Sequence, residues 1–257
     1  MGASRFWAPL WRTYPRAPSL VLCRVPELEY ASAAELPEPA LDHCCGDGRF
    51  AALAWPGRRL AAGCDLDASA LARAGRGGQY ERLDRCDAAR RLPFAGAVFR
   101  SVFSNSALEH IADLDAALAE VARVLAPDGL FAFSVLNHRY FEWWPLSEDA
   151  KRRYRDWQPF CHALDLGEWE RRLARAGLRL VSVAGYLDRE AARVLAELDY
   201  EFSGLLLRRR FSLHVFLSHC AAFLARPGWR RALAPLVWRT GPDAGAGYFV
   251  KAVRHGT

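Results

Sequence analysis

The sequence predicts an α/β fold, a parallel sheet covered by helices on both faces. From Ala40 onward, short apolar runs alternate with stretches of helical periodicity, the pattern of strands joined by crossover helices. The first apolar run ends in a turn with two glycines that opens a helix. The chain has 257 residues, 52% of them hydrophobic, with Gly (19) and Pro (14) at ordinary levels. That suffices for a full core and excludes collagen-like and disordered classes.

Residues 1–38 are aromatic, basic and punctuated by prolines, and read as an irregular arm or lid with one short helix over 19–30. Residues 39–136 form the regular core. The strand ALDHCC and the turn Gly46-Asp47-Gly48 precede the helix RFAALAW. RRLAAGCDLD is a second strand, SALARAG a helix closed by Gly75, and YERLDRCD a third strand. VFRSVFSN is a fourth strand, and the helix LDAALAEVARVLA stops at Pro127-Asp128-Gly129 before the strand GLFAFSVLN. Residues 137–165 are a polar-aromatic cap insertion that holds Tyr140, Phe141, Trp143, Trp144, Tyr154 and Trp157. The core resumes at 166–187 with GEWERRLARAG, capped by Gly177, and the strand LRLVSVAGYL. A helical cap insertion occupies 188–243, and the last core strand, GYFVKAV, lies in 244–257.

Charge and cysteine usage bound the setting. The net charge is +6, and Lys151 and Lys251 are the only lysines. Such an arginine bias beside abundant alanine points to base composition rather than to a nucleic-acid surface, although charge alone leaves both open. The 7 cysteines are scattered without a C-x-x-C pair, which reads as reduced thiols in a cytoplasm. The longest apolar candidate, 211–225, contains His214 and His219 and is too short to span a bilayer. The amino terminus lacks the apolar stretch of a secretory signal, so a soluble, cytoplasmic protein is expected.

In an open parallel sheet, ligands bind beyond the carboxyl ends of the strands. The first strand runs there into Asp42-His43-Cys44-Cys45-Gly46-Asp47-Gly48. Closely spaced glycines allow backbone to approach a ligand, and Asp65 closes the second strand, where a carboxylate can accept from ribose hydroxyls. Alone, Gly46-x-Gly48-x-x-Ala51 also fits a dinucleotide fingerprint, so it indicates a nucleoside site and no more.

The ordered series of segments narrows the choice. LDHCCGDGRFA, GCDLD, CDAARRLPF, VFSNSALEHI and EVARVLAPDGLFAFSV, in this order and spacing over residues 38–136, resemble the class I S-adenosylmethionine-dependent methyltransferases, particularly the bacterial small-molecule group. The resemblance implies a Rossmann-like doubly wound, mostly parallel seven-stranded sheet with an antiparallel last strand, plus a helical and aromatic cap. It implies S-adenosyl-L-methionine as cofactor and S-adenosyl-L-homocysteine as product. Carried onto this sequence, it assigns cofactor binding to Asp42, Cys44, Gly46, Gly48, Asp65, Leu66, Asp87, Ala88 and Asn105, with Asp87 at the adenine. Three positions depart from the family pattern: Cys44 replaces its first glycine, His43 an aliphatic residue, and Arg100 an aspartate at the entry of the fourth strand.

Methyl transfer from a sulfonium needs alignment above all, and a hydroxyl acceptor also benefits from a general base. The candidates are His110 after the fourth strand, His138 after the fifth, and His162 with Asp165 three residues later. Each also has the plainer reading of a surface or capping histidine. Cys44, Cys45, Cys64 and Cys86 should converge near the ends of the first three strands, where buried cysteines serve as small hydrophobes, and no metal is expected. Arg208-Arg209-Arg210 and the apolar stretch up to 225 admit a phosphate-docking patch, a peripheral membrane contact through 208–225, or a buried cap helix, of which the last is favoured. The aromatics of 140–157 read as the core of a small cap before a stacking platform.

The expected function is methyl transfer to a small-molecule acceptor, a hydroxyl of a sugar, glycolipid or secondary metabolite. The alternatives are a catalytically weakened, cofactor-binding partner protein and an RNA methyltransferase. Ser104-Asn105-Ser106-Ala107 lacks the proline pair of base amino-methylating relatives, which counts against the second. A nicotinamide dehydrogenase leaves the later segments unexplained. The sequence names neither the acceptor nor an oligomeric state.

Overall fold

The computed structural model describes residues 4–15, 17–207, 239–241 and 243–256. Six strands run parallel: β1 (Ala40–His43), β2 (Leu60–Asp65), β3 (Tyr80–Arg85), β4 (Phe99–Asn105), β5 (Leu125–Leu136) and β6 (Leu178–Tyr186). A two-residue strand, β7 (Arg239–Thr240), pairs antiparallel with the edge of β6. The last strand, β8 (Gly247–Arg254), enters antiparallel between β5 and β6. The order is therefore β3-β2-β1-β4-β5-β8-β6-β7. This is the expected seven-stranded, mostly parallel sheet with an antiparallel last strand, extended by the short β7.

The central strand β1 is buried at all four residues, as expected for a strand covered on both faces. Its register sets Asp42 opposite Gly63 of β2 and Phe103 of β4. The strand order reverses across β1 and β4, so a crevice opens at their carboxyl ends. On one face lie α5 (Leu114–Val124) and α8 (Leu166–Arg175), packed over Val102, Phe131 and Phe133, with Trp169 of α8 against the Phe133 ring. Asp113 and Asp165 cap these two helices by accepting from Ala116 N and Glu168 N.

The other face carries α1 (Trp7–Thr13), α2 (Pro18–Ala33), α3 (Arg49–Ala54), α4 (Ala68–Gly77), α6 (His138–Glu142), α7 (Glu148–Trp157) and α9 (Arg189–Leu207). The arm expected to be irregular thus forms two helices. Pro26 lies inside α2, where a proline costs about 3 kcal/mol. Val21, Leu22, Val25, Leu28 and Ala31 are each at most 1% exposed, and burial of such side chains at roughly 1.5–3 kcal/mol apiece outweighs that cost.

Two helix ends also differ from expectation. The fourth helix runs past Gly75 to Gly77 and is capped by Gly78 at φ +68°, the left-handed conformation that favours glycine. The fifth ends at Val124, and Pro127 already lies in β5, whose Leu125 pairs with Phe99. Gly177, at φ +78°, follows α8 as predicted. Among the described residues no helix is long and apolar enough to cross a membrane. The three readings of 208–225 fall outside the described residues.

Candidate functional site

A cavity of about 620 Å³ opens at the carboxyl ends of β1, β2, β3 and β4, a volume within the range of small-ligand sites. Each part of its wall follows a strand. The loop after β1 supplies Cys44, Cys45, Gly46 and Asp47; β2 and the residue after it supply Cys64, Asp65 and Leu66; the chain after β3 supplies Cys86, Asp87 and Ala88. Asn105, Ser106, Ala107 and His110 come from the end of β4 and the turn beyond it. The remaining side is closed by Tyr14 and by Arg24 of α2.

The loop after β1 takes its shape from positive backbone angles: φ is +59° at Cys44, +56° at Gly46 and +75° at Gly48. A Cβ placed on Gly46 would meet no atom within 4 Å, so this backbone borders open space that a ligand can enter. Gly48 serves another purpose. A Cβ there would lie 3.0 Å from Tyr80 and 3.3 Å from Ala74, so its missing side chain allows the start of α3 to press against α4 and β3. Gly48 does not line the cavity, whereas the other eight residues assigned to cofactor binding all do.

Asp65 anchors this wall. Its Oδ2 accepts from Gly46 N at 2.8 Å and its Oδ1 from Asp67 N at 2.9 Å. A carboxylate has about four lone-pair directions, so two bonds to backbone leave capacity for ribose hydroxyls. Asp42 lies deeper and is 5% exposed. Burial, aided by the charge of Asp65, pushes its pKa up to about 7, although Tyr80 donates to it at 2.6 Å and opposes the shift. Burial likewise pulls His43 down to about 4, and its Nδ1 pairs with Ser104 Oγ at 3.3 Å.

The four thiols do converge on this cavity. Burial raises the pKa of Cys44 and Cys45. A hydrogen bond between Cys64 and Cys86 raises the first and lowers the second. Among the described residues no group of three or more His, Cys, Asp or Glu side chains is arranged to hold a metal ion.

Of the three departures, only Cys44 reaches the cavity. It adopts the left-handed angle that a glycine would take, so the loop keeps its course despite the Cβ. Arg100 is exposed near the opposite end of β4, and His43 is wholly buried beneath the loop.

The three candidate histidines separate clearly. His110 lines the cavity. Its Nδ1 lies 2.8 Å from the carbonyl of Pro159; a carbonyl only accepts, so Nδ1 carries the proton and Nε2 is left as an acceptor. Burial lowers its pKa. His138 sits at the start of α6, with Nε2 4.0 Å from Glu142, and lines no cavity described here. His162 Nε2 lies 3.2 Å from the carbonyl of Ala112, while the carboxylate of Asp165 is engaged in capping α8. Neither is brought to the cavity wall.

Sequence reasoning missed the buried acids behind the β4 end. Glu27 of α2 is 0% exposed. It accepts from Ser106 Oγ at 2.7 Å, Asn105 Nδ2 at 3.1 Å, Tyr186 OH at 3.1 Å and Cys23 Sγ at 3.3 Å, and it pairs with Arg24. The charged i,i+3 pair Arg24 and Glu27 amid the apolar residues of α2 was the available signal. Glu109, beside His110, is 1% exposed, and burial pushes its pKa up to about 8.

A second cavity, of about 120 Å³, adjoins the first and shares Arg24, Ser106 and His110 with it. Tyr140, Tyr154, Gln158 and Phe160 reach it from the 137–165 insertion, and Leu195 and Asp199 from α9. Tyr140, Phe141, Trp144 and Tyr154 are at most 6% exposed, the cap core that the sequence favoured.

The family profile described as a methyltransferase domain matches residues 41–133. A malonyl-[acyl-carrier protein] O-methyltransferase from Geobacter sulfurreducens is 33% identical over 188 residues, which cover 66% of this chain and 66% of that protein. A ubiquinone biosynthesis O-methyltransferase from Parvibaculum lavamentivorans is 32% identical over 113 residues, 39% of this chain and 42% of that protein. This chain therefore spans just under two thirds of the first relative and under half of the second. A solved structure from Thermotoga maritima, described as an S-adenosylmethionine-dependent methyltransferase and possible histamine N-methyltransferase, superposes with a TM-score of 0.63 at 14% identity, over 98% of this chain and 97% of that one. That last likeness is one of fold. The five ordered segments, the reversed sheet order with its antiparallel last strand, and the matching profile agree on a class I S-adenosylmethionine-dependent methyltransferase domain over residues 41–133, a family whose methyl donor is S-adenosyl-L-methionine.

Proposed function

We propose that this protein transfers a methyl group from S-adenosyl-L-methionine to an oxygen atom of a small-molecule acceptor. The observation that carries the reading is the meeting of two cavities at Arg24, Ser106 and His110. The larger has the wall of a nucleoside site, and the smaller opens beside its β4 end. When bound, S-adenosyl-L-methionine supplies an electrophilic methyl group. In this reading Asp65 holds the ribose, Asp87 and Ala88 border the adenine beside Leu66, and Cys44, Gly46 and Asn105 face the amino-acid portion. Asp42 acts beneath the loop through Tyr80, and Gly48 contributes through packing.

The chain's own task is alignment, worth up to roughly 7–11 kcal/mol. His110 is the candidate base, because its Nε2 is available to accept the acceptor's proton. Oxygen as the target is supported by the two relatives, both named O-methyltransferases; neither name includes a sugar or a glycolipid. The glycine-like course of Cys44 supports a working donor site over a weakened one.

Calorimetric titration with S-adenosylmethionine, S-adenosylhomocysteine and NAD in parallel tests the donor. Micromolar binding of the first two, and none of NAD, is expected. If neither sulfur nucleoside binds folded, reduced protein, the reading fails.

A further inference from the structure

The cap reaches the candidate base through one short segment, residues 159–162, which runs along the turn that carries His110. Cys161 N and His162 N both donate to the carbonyl of Glu109, at 2.8 Å and 3.1 Å. Cys161 Sγ donates to the carbonyl of His110 at 3.5 Å. The carbonyl of Pro159 accepts from His110 Nδ1 at 2.8 Å. In the other direction His162 Nε2 lies 3.2 Å from the carbonyl of Ala112, so that nitrogen carries the proton. Each histidine is thus held by a carbonyl of the other's segment, and the two imidazoles take opposite tautomers.

Phe160 supplies a second restraint. Its ring meets that of His110 edge-on, with centroids 4.6 Å apart and planes inclined by 62°. The same ring packs against Phe141 at 5.1 Å and Tyr140 at 6.1 Å, so the imidazole abuts the aromatic core of the cap. A general base must keep a lone pair within reach of the proton it takes. A free imidazole turns about its side-chain bonds and exchanges its proton between two nitrogens. A carbonyl at Nδ1 stops the exchange, and a packed aromatic ring stops the turning.

We infer that Phe160 and His162 are positioning residues for His110: the Phe160 ring fixes its orientation, and the reciprocal histidine-to-carbonyl bonds fix its tautomer and hold the cap on its turn. This rests on the reading of His110 as the base. Neither Phe160 nor His162 lines the larger cavity, so both act through His110. Phe160 also walls the smaller cavity, so one piece of chain shapes that chamber and orients the base beside it.

Nitrogen NMR of the full chain with 15N-labelled histidine tests this without any acceptor. The chain has 7 histidines, and comparison with His110→Gln identifies the signals of His110. In wild type that imidazole should carry its proton on Nδ1 and titrate below the usual value of about 6.5. Burial lowers it, and the charge of Arg24 on α2 acts in the same direction. Cys161 beside it, and Cys23, Glu109, Tyr140, Tyr154 and Asp199 on the smaller cavity's wall, are kept in every variant. Phe160→Ala should raise the midpoint by about 0.5–1 pH unit as water reaches the imidazole, and should mix in the Nε2 tautomer. Phe160→Tyr keeps a ring and should restore the wild-type signals. His162→Ala should mix the tautomers as well, and His162→Gln, which retains an N–H for Ala112, should reverse that. A cooperative urea transition reports that each variant is folded, and Phe160→Leu replaces Phe160→Ala if the latter is not. Unchanged His110 signals in the Phe160 variant would overturn the role of Phe160, and unchanged signals in His162→Ala that of His162. A wild-type His110 protonated on Nε2 would overturn the inference altogether. The base reading fails separately: methyl-labelled S-adenosylmethionine turned over on a small-molecule cell extract, undiminished in His110→Gln, would sink it and leave the NMR result standing.

Discussion

The wall that follows β1, β2 and β3 and the wall supplied by α2 and the cap meet at Asn105 and Ser106, and they are built in opposite ways. The first is made of backbone and short side chains on strand ends. Its central carboxylate, Asp65, is satisfied by Gly46 N and Asp67 N, from loops directly after β1 and β2. The second is made of buried charge. Glu27 gathers partners from positions as distant as Tyr186, 159 residues along the chain, and Glu109 keeps one oxygen unpaired. A surface for a ligand common to many proteins can be assembled from local turns. The wall that α2 and the cap supply is assembled instead from contacts between distant segments.

The sharpest way to break this comparison is to remove the buried acid. Glu27→Ala leaves Arg24 without its ion-pair partner and four uncharged donors without this acceptor, so it should cost roughly 3 kcal/mol or more in unfolding free energy. Chemical denaturation reads this directly. A loss below about 1 kcal/mol would show that α2 docks by apolar burial alone. On the donor side, Asp65→Ala should leave the fold standing and weaken S-adenosylmethionine binding by about 1–3 kcal/mol, read by calorimetry. Unchanged affinity would remove Asp65 from the ribose.

Proton linkage separates the walls next. Glu109 at about 8 and Asp42 at about 7 hold protons in the folded state that the unfolded chain has already released, so their contribution to stability declines as the pH rises. His43, pulled down to about 4, acts the other way: stability is lost as the pH falls from about 6.5 toward 4, because only the unfolded chain takes up that proton. Between about pH 6.5 and 8 the acids dominate, so stability should fall with rising pH by about 1–2 kcal/mol. In urea titrations across that range Glu109→Gln should flatten most of the slope. A slope of opposite sign would contradict the burial of Glu109.

The smallest effect belongs to the loop. Cys44→Gly removes a Cβ from a left-handed residue, which costs roughly 1–2 kcal/mol, and it returns part of that gain as unfolded-state entropy. A net stabilisation of about 0.5–1 kcal/mol should raise the melting temperature. A destabilisation would mean that the thiol, 3.6 Å from His43 Nδ1, contributes more than the strain removes.

Much of the fold was legible because it rests on local rules. Alternating strand and helix patterns placed the core strands, and Gly177 marked the end of α8. The residues around the larger cavity were legible for the same reason, since eight of the nine assigned positions sit where a strand meets its turn. Gly48 was read as a ligand contact; the structure adds the close approach of Tyr80 and Ala74 as a reason for its glycine, which spacing does not reveal. The histidines were ranked by chain position, yet proximity to the cavity depended on how the segment around Pro159 returns to the turn after β4 and holds His110.

Sequence by itself therefore determined the sheet, the turns that wall the larger cavity and the methyltransferase resemblance, because periodicity and glycine spacing encode strand ends within a few residues. Only the tertiary structure decided that α2 is a buried helix carrying Glu27, that His110 and not His138 or His162 borders the larger cavity, and that Glu109 is buried beside it. Those outcomes depend on desolvation and pairing among groups far apart in the chain, and whether a carboxylate is satisfied, shifted or left open is settled only when the segments around it have packed.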